Sequence, residues 1–159
     1  MTDVATGFVI KAFLKDTRPG WFEEAMAIRE TVFVAEQNVS PDEERDAYDE
    51  TAMHWLVWMA DTETPVATAR MIPYQEGCQM RPVAKIGRVA VLEAYRGKGL
   101  GQVLMDVVIA AAIDEGYAQI ILDAQTRVLS FYERLGFASE GEEFLDANIP
   151  HYRMRKVLE

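Results

Sequence analysis

The stretch that most limits how this 159-residue chain can fold is a strand, a glycine loop and a helix in immediate succession. Leu100, Val103, Leu104, Val107, Val108 and Ala111 recur at the spacing of one buried helix face, and predict a helix that ends before Gly116. Directly ahead of it, Arg96-Gly-Lys-Gly-Leu-Gly101 carries glycines at alternate positions. Ahead of that, about Ala84 to Leu92 reads as a strand. A strand that feeds a helix through so short a loop must lay that helix back against a sheet.

The remaining punctuation completes an α+β pattern. Gly7 to Leu14 reads as a first strand, closed by the turn-rich Asp16-Thr-Arg-Pro-Gly20. Trp21 to Val34 places Phe22, Ala25, Met26, Arg29, Val32 and Phe33 at helical spacing, so Arg29 falls near the buried stripe. Ser40-Pro-Asp-Glu43 has the form of a helix start with a capping box. Residues 41–50 hold six acids and one arginine, little to bury, and predict a short, exposed acidic helix or loop. Met53 to Ala60 and Val66 to Ile72 read as an antiparallel hairpin around Asp61-Thr-Glu-Thr-Pro65. Ala118 to Ala124 reads as a buried strand, Arg127 to Leu135 as a helix stopped by Gly136, and His151 to Leu158 as the last strand. The predicted order is β-α-(α)-β-β-β-α-β-α-β-β: a mixed, mostly antiparallel central sheet of six to seven strands with helices on both faces. No repeat or linker divides the chain, so residues 1–159 read as a single domain.

Composition narrows the partners. Half of the residues are hydrophobic, enough for a sizeable core. Sixteen lysines and arginines stand against 26 acids, a net charge of −10, which argues against nucleic acid and anionic membranes. Trp21, Trp55 and Trp58 lack the basic neighbours of a base-stacking platform. No apolar run reaches the roughly 18 residues of a membrane span, and the first ten residues carry an acid where a signal peptide carries bases. The expected location is therefore cytoplasmic. Cys78 is the single cysteine, which excludes a disulfide framework and a multi-cysteine metal site; in Gln75-Glu-Gly-Cys-Gln79 it has no nearby base and reads as an ordinary thiol. No metal is expected.

The glycine loop carries the chemistry. Backbone N–H groups of such a loop converge on one point, and the helix N-terminus adds about half a positive charge there, so the arrangement suits a pyrophosphate. Arg96 and Lys98 add full charges in an otherwise acidic chain. A tight turn needing positive φ explains the same glycines structurally. The loop lacks the Gly-Lys-Ser/Thr ending of nucleotide hydrolases. No acid ends a following strand at the distance a dinucleotide-binding unit requires, Asp123 lying slightly too far along.

Val89-Ala-Val-Leu92, then Tyr95-Arg-Gly-Lys-Gly-Leu-Gly101, with Phe131-Tyr-Glu-Arg-Leu-Gly-Phe137 downstream, resembles the GNAT family of N-acetyltransferases. That family's signature is a hydrophobic strand, an Arg/Gln-x-x-Gly-x-Gly/Ala loop and an FYExLGF-like helix end. The resemblance spans about residues 5 to 157 and implies acetyl-CoA as cofactor. Arg29-Glu-Thr-Val-Phe33, Glu36-Gln37, Asp49, His54, Arg70, Ile86-Gly-Arg88, Ala124-Gln125 and Ile149-Pro-His151-Tyr-Arg-Met154 further resemble the ElaA-like branch, small bacterial acetyltransferases similar to glucosamine-phosphate and glyphosate N-acetyltransferases.

By that resemblance, the backbone of Val89, Ala90 and Val91 pairs with the pantetheine arm, and a Val91 N–H polarises the thioester carbonyl. Arg96, Gly97, Lys98, Gly99, Leu100, Gly101 and Gln102 hold the pyrophosphate, with Arg127 offered to the 3′-phosphate end. Tyr132 stands where the family places the tyrosine that protonates the departing thiolate; a phenol near pKa 10 against a thiol near about 8.5 is a modest mismatch. Its bland alternative is a core aromatic. His151 is the candidate base and His54 its competitor, the latter equally readable as a half-buried, hydrogen-bonded residue. On the substrate side stand Arg29, His54, Arg70, Arg88 and Gln125. The arginines either clamp an anionic group of the substrate or pair internally with Glu36, Asp46 and Asp49.

The resulting expectation is transfer of acetyl from acetyl-CoA to a primary amine of a small metabolite, by direct attack in a ternary complex. Acetylation of a protein lysine or N-terminus, and a non-catalytic acyl-CoA-binding module, are the alternatives. The apolar last strand permits a homodimer without requiring one.

Overall fold

Strands and helices alternate as the sequence predicts. A computed structural model describes residues 7–75 and 82–158; Cys78 and its loop lie outside them. The elements are β1 (Phe8–Leu14), α1 (Pro19–Arg29), α2 (Pro41–Glu44), β2 (Met53–Met59), β3 (Pro65–Tyr74), β4 (Val83–Val91), α3 (Leu100–Asp114), β5 (Gln119–Gln125), α4 (Leu129–Arg134), β6 (Ala138–Asp146) and β7 (Ile149–Val157). The seven strands form one mixed sheet in the order β1-β2-β3-β4-β5-β7-β6, an α+β fold. β1 with β2, β2 with β3, β5 with β7 and β6 with β7 run antiparallel, and β4 with β5 is the parallel pair.

By contact density the described chain forms two compact units, one from the chain through Ile72 with Arg88–Val108, the other from Pro73–Gly87 with the chain from Ile109 onward. In the first, Phe13, Phe22, Ala25, Met26, Ile28, Val32, Leu56 and Ala90 form the apolar core, with Trp21, Phe33, Trp58 and Leu92 packed around it. The helical stripe read from the sequence is this core's contribution from α1. α1 starts two residues earlier than predicted, on Pro19, whose fixed φ suits a first helical turn. It then widens into a π-helix over Glu30–Glu36 and ends before Asn38, which turns left-handed at φ +59. In the second unit Ile120, Ile121, Leu122, Ala124, Tyr132, Phe137 and Met154 are buried.

Both α3 and α4 end close before a left-handed glycine, Gly116 and Gly136. α3 stops at Gly116, φ +87, where N–H groups of Gly116 and Tyr117 return to Ile113 and Ala112. The strand that no range predicted, β6, fills the stretch after Gly136 and joins β7 through Ala147-Asn148, both left-handed at φ +51 and +64, the geometry of a type I′ hairpin turn. Every residue of β6 is exposed, and it lies at one end of the sheet order.

The acidic segment departs from expectation. α2 is short, as predicted, and Ser40 caps it by accepting from the Asp42 N–H. The segment is not simply a solvated lip: Glu44 and Asp49 are each 3% exposed. Charge patterning along the segment suggested solvent, and internal pairing with the distant arginines, the alternative for Asp46 and Asp49, is what draws the segment in.

Candidate active site

Arg29 reaches inward from the end of α1. Its Nε donates to Glu44 Oε2 at 2.6 Å, its Nη1 to Asp49 Oδ1 at 2.7 Å, and its Nη2 to the Glu44 carbonyl at 2.9 Å. Arg70, from β3, grips Asp46 with two bonds of 2.6 and 2.8 Å and adds a third to Asp49 Oδ1 at 2.8 Å. Arg88, from β4, donates to the Glu44 carbonyl at 3.1 and 2.9 Å and to Asp46 Oδ2 at 3.2 Å. Three guanidiniums thus meet Glu44, Asp46 and Asp49, a balanced set. Of the two readings of these arginines, internal pairing is the arrangement present, with one change of partner. Glu36 pairs with Arg96 instead, and Glu44, which sequence reasoning missed, takes its place. Unmatched arginines on apolar elements were the available signal for Glu44.

Electrostatics follow from the packing. Burial works against the Asp49 carboxylate, but bonds and charge from Arg29 and Arg70 outweigh it and lower its pKa to about 2. Burial lowers His54 below the ordinary histidine value. Its Nε2 lies 3.1 Å from the Asp49 carbonyl, so that nitrogen carries the proton. The ring stacks on Phe13 and meets Phe22 edge-on, and it is 1% exposed. His54 therefore sits where its bland alternative put it, as a hydrogen-bonded core residue.

The glycine loop follows β4 through a 3₁₀ turn at Glu93–Tyr95. Gly97 and Gly99 are left-handed at φ +76 and +80, and a Cβ added at either would meet nothing within 4 Å. Conformation, not crowding, requires glycine here. Gly99 accepts from the Val103 N–H at 3.2 Å and so caps α3, leaving the first-turn N–H groups of Leu100, Gly101 and Gln102 without helical acceptors. Arg96 is partly engaged: Nε donates to the Val91 carbonyl and Nη2 to Glu36 Oε1, each at 2.8 Å. The Lys98 ammonium lies 5.8 Å from the Tyr95 ring centre. In β4 itself, pairing with β5 covers only Val83–Lys85 against Gln119–Ile121, so Val89, Ala90 and Val91 lie beyond that ladder.

The second unit holds the other candidates. Tyr132 is 9% exposed, with its ring edge-on to Phe131 and Phe137. Burial pushes its phenol up to about 12. The modest mismatch expected from a phenol near 10 is thereby widened. Among the described residues, its hydroxyl has no hydrogen-bond partner. His151 and Gln125 face each other across the β5–β7 ladder. The His151 Nδ1 lies 2.7 Å from the Ile149 carbonyl, which can only accept, so Nδ1 is the donor and Nε2 is the ring nitrogen left for other partners. Its ring stacks on Phe144 at 5.9 Å. Arg127 is exposed and donates to Gln125 Oε1 at 3.0 Å. Asp123, considered in the sequence only as a ribose ligand, instead joins Arg153 at 2.5 Å and Lys85 at 3.3 Å across neighbouring strands.

A model of the acetyltransferase (GNAT) family matches residues 17–137. The chain belongs to the GNAT acetyltransferase family. This GNAT chain is 38% identical over 135 residues to a Bacillus subtilis protein named uncharacterized N-acetyltransferase YjcF, covering 84% of the chain and 91% of that protein. Among solved structures, Escherichia coli ElaA superposes with a TM-score of 0.80 at 28% identity, over 92% of this chain and 98% of that one. An acyl-CoA N-acyltransferase from Pseudomonas aeruginosa superposes at 0.78 and 26% identity, over 93% and 99%. Membership makes the protein an acyl-CoA-dependent acyltransferase with acetyl-CoA as cofactor. The left-handed glycines and the first-turn N–H groups of α3, which have no helical acceptors, fit its diphosphate. No described helix is long and apolar enough to cross a membrane.

Proposed function

We propose that this GNAT enzyme, acting as one domain, moves acetyl from acetyl-CoA to a primary amine of a small metabolite by direct attack. The observation that carries the reading is the loop Arg96–Gly101, whose two left-handed glycines open onto the N-terminus of α3. In this reading the loop's N–H groups, with Gln102 and Lys98, hold the diphosphate, and Arg127 serves the 3′-phosphate. The cofactor supplies an acyl group activated as a thioester. Val89, Ala90 and Val91 give it a strand edge to pair with, and the Val91 N–H polarises the thioester carbonyl.

In this reading His151 takes the ammonium proton of the acceptor on Nε2, the ring nitrogen that its bond to Ile149 does not use. As the amine nitrogen bonds to carbon and the carbon–sulfur bond breaks, Tyr132 donates its hydroxyl proton to sulfur. Its burial keeps that proton in place throughout the working range. Gln125, opposite His151 on the ladder, serves the acceptor. The acid surplus supports a cationic acceptor over an anionic one.

Release of CoA thiol, measured against amino sugars, amino acids, polyamines and basic peptides, tests the reading. Release with a small amine is expected. Release with peptides alone transfers the assignment to protein acetylation, and acetyl-CoA binding without release overturns the catalytic reading.

A further inference from the structure

β4 contains a residue that has no local reason to adopt its backbone conformation. Arg88 sits at φ +53, a region non-glycine residues avoid, although Gly87 next to it would enter that region without cost. A Cβ at Gly87 would meet nothing within 4 Å, so space does not dictate the choice. What distinguishes Arg88 is its side chain. Its hydrogen bonds run to Glu43, Glu44 and Asp46, at 2.9 to 3.3 Å. Glu44 is held in turn by Arg29 of α1, and Asp46 by Arg70 of β3. The Glu44 carbonyl accepts from both Arg29 and Arg88. A strained strand residue is thus tied, through one acidic segment, to two further elements of the same unit. Because the three arginines and three acids balance, the tie needs no outside anion. A left-handed residue in a strand redirects the backbone beyond it, and here that backbone is Val89, Ala90 and Val91.

We propose that Arg88 is a positioning residue: its fork to segment 43–46 holds β4 in the turned conformation that aims the Val89–Val91 backbone at the pantetheine arm. This rests on the reading of β4 as the cofactor-bearing strand. Segment 41–50 then sets cofactor geometry from a distance, and Arg29 and Arg70 act by fixing that segment.

Calorimetric titration of the full chain with CoA tests it, alongside thermal melting. Arg88→Ala removes the tie and keeps the strain, and is expected to weaken CoA at least tenfold. Arg88→Gly removes the tie but tolerates the conformation, and is expected to regain at least threefold of that loss at an equal or lower melting temperature. Arg88→Lys, which keeps the charge without the fork, is expected to lose about threefold and serves if Arg88→Ala does not fold. CoA affinity within twofold of wild type in folded Arg88→Ala or Arg88→Lys overturns the proposal. Equal weakening by Ala and Gly also overturns it, since a merely structural role predicts that. Failure of the wild-type chain to bind CoA would instead overturn the reading of the site itself.

Discussion

Burial pushes the pKa of Tyr132 and of Asp49 the same way, upward, and the two end displaced in opposite directions because only Asp49 has cationic partners. The phenol meets aromatic rings and is pushed up to about 12. The carboxylate meets two guanidiniums and falls to about 2. For Tyr132, removing the hydroxyl with Tyr132→Phe takes away the proposed donor to sulfur but not the aromatic packing. Turnover measured by thiol release should fall about 100-fold, near the lower end of what general acids contribute, while CoA affinity stays within about twofold. Unchanged turnover would remove the acid role. For Asp49, the depressed value means that its stabilising contribution is present above about pH 4 and is lost as pH falls toward 2. Denaturant unfolding between pH 2 and 5 should show this slope in wild type and lose most of it in Asp49→Asn. At neutral pH the variant should be destabilised by about 3 kcal/mol, because Arg29 is left with a buried, half-neutralised charge.

At the scale of elements, what could be read in advance was whatever leaves a period or a punctuation mark. α3 and its end at Gly116, the hairpin of β2 and β3, and the loop at Gly97 and Gly99 all did so. The acidic stretch and β6 did not. Asp49 was foreseen as an internal partner but Glu44 was not, because its arginines lie far off in sequence and no local pattern encodes them, and β6 alternates no apolar face because none of it is buried. The left-handed turn at Arg88 was equally silent, being set by contacts of its side chain. The β6–β7 turn offers a direct check on element energetics. Ala147 occupies a left-handed position that costs alanine about 1 kcal/mol and that asparagine tolerates. Ala147→Asn should therefore raise the melting temperature by about 2–4 °C, and Ala147→Val should lower it.

The whole molecule carries a field opposed to its own cofactor. With a net charge of −10 it repels polyanions at long range, and the proposed diphosphate site answers with backbone N–H groups, whose dipoles do not depend on net charge. The same field favours cationic acceptors over anionic ones. For a cationic amine that releases thiol, kcat/KM should fall as salt rises from about 0.01 to 0.15 M, where the screening length drops from about 30 to 8 Å. A neutral acceptor should show no such decline. The surplus acid has a further use at the sheet's rim. Glu140, Glu142, Glu143 and Asp146 all lie on β6, the fully exposed outermost strand, so a second sheet approaching to extend the ladder meets a row of like charges. That row is a guard against fibre-like stacking, built from charge alone on a strand that nothing else covers.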